Sequence, residues 1–197
     1  MHLLLSDSVV GLFLQVLPVS LLVGLVFFAV RLHRQKKQRR SVSRNRELLL
    51  FLFVCYVTGL ANLVLVPANF WSSFWYRICT GVSVWDLPAL FSGGFNFLPT
   101  FVRYLTGELT GAPGRWILTM LAGNLLMFVP MGVFLPLIFP RLQGGKMAAA
   151  ILLLPLAVEL WQPVVGRSFD TDDLLLNTLG ILAGWAMVRL VLGKGKR

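Results

Sequence analysis

The run from Val9 to Val30 reads VVGLFLQVLPVSLLVGLVFFAV, and the stretch behind it, Arg31 to Arg46, reads RLHRQKKQRRSVSRNR. About 20 apolar residues in a helix span the hydrocarbon of a bilayer. A basic run directly behind such a segment marks the cytoplasmic side. The order of the two also argues against a signal peptide. No basic region precedes the apolar core, that core is too long, and the positive charges follow it.

Four further stretches repeat the pattern: Leu48–Val66, Trp116–Phe139, Met147–Val165 and Leu174–Leu192. Composition agrees, since the 197 residues are 57% hydrophobic and only 13% charged. A soluble domain carries about 45–50% apolar and about 25% charged residues, so a membrane must replace water over most of this surface. The expected fold is an all-α membrane protein, a bundle of about five transmembrane helices. Threading the chain with Arg31–Arg46 in the cytoplasm puts the N-terminus outside and the C-terminus inside. It leaves 14 of the 18 basic residues cytoplasmic, with Arg77, Arg103, Arg115 and Arg167 on the other face. The net charge of +10 is thus a topology signal, not a nucleic-acid footprint.

Three regions follow from this reading. Residues 1–66 hold two helices and the basic cytoplasmic loop, 67–115 form a long outer loop, and 116–197 form a three-helix core. In the outer loop Phe70, Trp71, Phe74, Trp75 and Tyr76 cluster where the second helix leaves the membrane, as an interfacial anchor would. Phe95–Phe101 is apolar but too short to span, so a re-entrant or interfacial segment is expected there. Cys55, inside an apolar run, and Cys79, in the loop, are expected to stay unbridged. No internal repeat is evident.

Polar residues inside the apolar stretches carry the functional argument, because such groups are expensive in a bilayer and face a bundle interior or a cavity. Glu159 and Gln162 share one face of the fourth stretch. Asn124 lies in the third and Asn177 in the fifth, one turn beyond Asp173. At about 1.5 Å per residue, Glu159 lies roughly 10 Å below the outer turn and Asn177 roughly 5–6 Å. Asn124 lies roughly 12 Å down its own helix. Three helices thus place polar groups in the outer half of the membrane. Arg167, Asp170, Asp172 and Asp173 fill the turn beside them.

Structural readings stand next to the functional one. Asp170 could cap the fifth helix, with Asp172 and Asp173 in its first turn. Asn124 and Asn177 could be interhelical hydrogen-bond glue, and Glu159 could pair with Arg167. Gly180 and Gly184 suit close helix approach. Pro130 and Pro136 remove helix donors and invite a kink below Asn124.

The stretch Asn124-Leu125-Leu126-Met127-Phe128-Val129-Pro130-Met131-Gly132-Val133-Phe134-Leu135-Pro136 resembles the first signature of the VanZ-like membrane proteins. A second runs from Glu159-Leu160-Trp161-Gln162 through Gly166-Arg167-Ser168-Phe169-Asp170-Thr171-Asp172-Asp173 to Asn177-Thr178-Leu179-Gly180. A weaker element, Asn96-Phe97-Leu98-Pro99-Thr100-Phe101, is similar to the family's Asn-Leu-x-Pro-Phe segment but has Phe97 for the leucine and Thr100 inserted. The resemblance covers about residues 95–192. It implies a bacterial plasma-membrane protein of a family associated with resistance to the glycopeptide teicoplanin.

The expected function is binding of a membrane lipid or lipid-linked cell-wall precursor in an outward-facing polar cleft, with Asn124, Gln162, Arg167 and Asn177 as ligand-binding residues. Arg167 would attract a phosphate or carboxylate. The alternative is an intramembrane enzyme acting on a lipid headgroup, with Glu159, Asp172 and Asp173 as catalytic candidates. Asp170, Asp172 and Asp173 are then candidate Mg2+ ligands. Neither His2 nor His33 lies near these residues, and no nucleophile motif is evident.

Overall fold

The computed structural model describes residues 9–38, 43–110 and 114–194. Arg39, Arg40, Lys196 and Arg197, which entered the topology argument, lie outside the described residues. Among the described residues the helices are α1 (Val9–Gln38), α2 (Arg44–Val64), α3 (Phe70–Thr80), α4 (Thr100–Leu105), α5 (Arg115–Ile138), α6 (Gly145–Trp161) and α7 (Thr171–Lys194). A 3-10 turn, Gln162–Val165, extends α6, and two short strands, β1 (Phe95–Asn96) and β2 (Phe169–Asp170), pair in parallel. Among the described residues five helices are long and apolar enough to cross a membrane, so the protein is a multi-pass, all-α membrane protein.

The chain forms two compact units, Met1–Leu87 and Pro88–Arg197. In the first, α1 runs eight residues past Val30, so the basic stretch through Lys37 is helical and not loop. Leu, Arg, Gln and Lys are all good helix formers, and nothing after Val30 breaks the helix. Arg31 of α1 pairs with the buried Glu47 of α2. This ion pair was not anticipated, because both partners sit among the charges of the basic stretch. Gly24 faces Cys55, and a Cβ there would overlap its sulfur. The aromatic cluster forms α3, where Phe70, Trp71, Phe74 and Trp75 meet ring to edge. Trp75 Nε1 donates to the Gln15 carbonyl of α1 at 2.8 Å. Cys79 lies in the last turn of α3 instead of a loop, and both cysteines are free.

In the second unit α5 and α7 run side by side in the same direction, and glycines set their separation. A Cβ on Gly180 would overlap the Leu125 carbonyl, one on Gly184 the Val129 carbonyl, and one on Gly132 the Ile181 carbonyl. Small residues at such positions let backbones touch in a membrane, where packing drives helix association. Helix α5 continues through Pro130 and Pro136. Helix α6 buries Met147, Ile151, Pro155 and Glu159, an i, i+4 stripe that turns one side inward. Leu126, Leu152, Leu153, Leu190 and Val191 point outward, as lipid-facing positions should.

Candidate functional site

The inward stripe of α6 ends on Glu159, which has no exposed surface. Three donors converge on its carboxylate. The Asp170 backbone N–H donates to Oε2 at 3.2 Å, and Asn177 Nδ2 of α7 donates to Oε1 at 3.3 Å. The Gln162 carboxamide, oriented by its partners, donates to Oε2 at 3.3 Å and to the Ser168 carbonyl at 2.9 Å. Gln162 and Asn177 are 5% and 3% exposed, so the cluster is sealed on the α6–α7 side. Asn177 Oδ1 is buried and, among the described residues, has no hydrogen-bond partner.

The turn after α6 brings these donors round. The chain passes through the 3-10 turn and Gly166, which takes φ 76° where a Cβ would press on Pro88 and the Ala89 carbonyl. Arg167 N–H then returns to the Gln162 carbonyl at 2.9 Å, and β2 aims the Asp170 N–H at Glu159. The Arg167 guanidinium lies in the field of Asp173 and Glu159. Burial lowers its pKa from the ordinary arginine value, and those two negative charges oppose the shift.

The three aspartates have separate tasks. Asp170 Oδ1 accepts the Asp172 N–H at 2.8 Å, which caps α7 as the structural reading anticipated. Its Oδ2 accepts from Asn96 Nδ2 at 2.9 Å. Asp172 Oδ2 accepts the Thr100 N–H at 2.8 Å, at the first residue of α4. Asp173 Oδ1 accepts from Asn124 Nδ2 of α5. Among the described residues no three His, Cys, Asp or Glu side chains gather as a metal ion would need.

The segment Phe91–Leu105 therefore belongs to the site. Phe91 N–H donates to the Val164 carbonyl, Phe169 N–H to the Gly94 carbonyl, and Thr171 Oγ1 to the Asn96 carbonyl. Register pairs Phe95 with Phe169 and Asn96 with Asp170. The inserted Thr100 supplies the N–H that Asp172 holds.

All the expected residues, Asn124, Glu159, Gln162, Arg167, Asp170, Asp172, Asp173 and Asn177, thus lie at one end of the α5–α7 unit. Asn96 and Thr100 join them in the structure, beyond the residues expected from the sequence. Their contacts bridge more than 70 residues, and only the motif-like pattern around Asn96 could have flagged them.

The VanZ/LLP1 family profile matches residues 15–192, well beyond the expected half of the chain, so the first two helices belong to the shared pattern as well. No curated protein and no solved structure matches the chain.

Proposed function

This chain belongs to the VanZ/LLP1 family, and from that premise we propose that it is a bacterial plasma-membrane protein that binds an amphipathic, lipid-linked ligand beside Arg167. The N-terminus is outside and the C-terminus cytoplasmic, which opens the site toward cell-wall precursors. There the binding contributes to glycopeptide resistance of the teicoplanin type.

One observation carries the reading: a polar cluster centred on the fully buried Glu159 and bordered by Arg167 lies at the end of three membrane helices. Asn124 and Asn177 bond across helices to Asp173 and Glu159, and around those bonds the cluster gathers further polar groups, each costly at that depth. Arg167 supplies the positive charge that a phosphate or diphosphate headgroup seeks. Binding is preferred over catalysis because both oxygens of Glu159 are held by this chain's own donors.

The test uses the full chain in nanodiscs, with a polyprenyl-diphosphate disaccharide as probe and phosphatidylglycerol as competitor. Saturable binding of the probe that Arg167→Gln weakens at least tenfold, without chemical change to the probe, supports the proposal. Divalent-metal-dependent turnover lost in both Glu159→Gln and Asp173→Asn overturns it in favour of an enzyme. Resistance is read in cells expressing the same variants at matched levels.

A further inference from the structure

The segment Phe91–Leu105 has two faces, of which one holds the polar contacts of the site. Along β1 and the residues after it, Asn96 turns toward Asp170, whereas Phe95 and Phe97 are 60% and 70% exposed. On α4, Thr100 is held by Asp172, whereas Phe101 and Leu105, one turn apart on one face, are 58% and 81% exposed. Phe95 and Phe97 stack at 5.8 Å, and both lean on the buried Phe169. Phe95, Phe97, Phe101 and Leu105 thus leave large apolar side chains exposed along a segment too short to span a bilayer.

The height of this surface is fixed by its anchors. Asp170 and Asp172 stand at the start of α7, where its candidate membrane span begins at Thr171. Hydrogen bonds from Asn96 and Thr100 hold the segment at that level. Apolar side chains exposed at the boundary of a membrane span have the acyl region of the adjoining leaflet as their occupant. Arg103 and Glu108 pair on the same stretch with their charged ends exposed, which suits the headgroup layer.

We propose that Phe95, Phe97, Phe101 and Leu105 form a membrane-inserted face, so that Phe95–Leu105 lies in the leaflet surface as an interfacial element and does not re-enter the bilayer. The inference is independent of any ligand. It ties the buried Glu159 cluster to the leaflet, because Asp170 contacts both the segment and Glu159.

Spin labels test it in the full chain, reconstituted in phosphatidylcholine–phosphatidylglycerol bilayers, with Cys55 and Cys79 replaced by alanine. Labels go on Phe97→Cys, Phe101→Cys and Leu105→Cys, with Glu108→Cys as the control. The expected result is higher collision with oxygen than with a water-soluble nickel chelate at positions 97, 101 and 105, and the reverse at 108. Greater collision with the chelate at all three positions means a water-facing surface and overturns the proposal. Labels immobilised and shielded from both reagents mean that a protein surface, such as a second copy, covers the face, and this also overturns it. A label at 101 deeper than those at 97 and 105 by a full turn of helix would show a re-entrant loop instead.

Discussion

Replacing Glu159 by alanine or by glutamine separates what its oxygens hold from what its charge does. Alanine strands three donors: the Asp170 N–H, Asn177 Nδ2 and Gln162 Nε2. A buried donor left unmade costs about 1–3 kcal/mol. Partial rearrangement recovers one of the three, so Glu159→Ala should lose about 2–6 kcal/mol. Glutamine fills the same volume and keeps one oxygen. Placed with that oxygen toward Asp170 and Gln162, it presents its amide to Asn177. There the Asn177 carboxamide can turn, and its Oδ1, now buried without a partner, becomes the acceptor. Glu159→Gln should therefore cost only about 0–2 kcal/mol. The assay is unfolding in mixed micelles titrated with dodecyl sulfate, followed by tryptophan emission. An alanine variant within about 1 kcal/mol of the parent would falsify the account of the cluster. So would a glutamine variant as damaged as alanine.

Three further outcomes follow from individual contacts. Gly180→Ala pushes a methyl into the Leu125 carbonyl and should cost about 1–3 kcal/mol in the same unfolding assay, whereas Gly123→Ala, with open space around it, should be neutral. Asp172→Ala should raise amide hydrogen exchange at Thr100 at least tenfold while Asp172→Asn, which keeps an acceptor oxygen, leaves it protected. Asn124→Asp sets a second carboxylate against Asp173, so this variant should gain stability relative to the parent as pH falls and protonation relieves the repulsion. Equal pH profiles for variant and parent would remove Asp173 from that contact.

The sequence makes the spans legible because hydrophobic length is a local property, and each predicted stretch lies within or beside an observed helix. It makes the site legible for a related reason. A carboxylate or amide at membrane depth has few tolerable surroundings, so Glu159, Asn124 and Asn177 advertise one another without any contact being visible. What escaped was non-local or masked. The bond from Thr100 to Asp172 joins residues far apart in sequence through a backbone N–H, which carries no side-chain signal. Glu47 is hidden in the sequence by the eight basic residues before it, although it is buried against Arg31. The capping reading of Asp170 and the clustering reading proved compatible, since its two oxygens serve one purpose each.

The glycine contacts between α5 and α7 also have a mechanical consequence. Three positions along their shared length leave no room for even a methyl group, and a seam this tight cannot slide without collision. The pair behaves as a single rigid beam carrying Asn124, Asp173 and Asn177. Helix α6 has no such seam, brings Glu159 and Gln162, and ends in a 3-10 turn and a left-handed glycine. A displacement of α6 and the β1–α4 segment would therefore uncover the cluster without disturbing the α5–α7 seam.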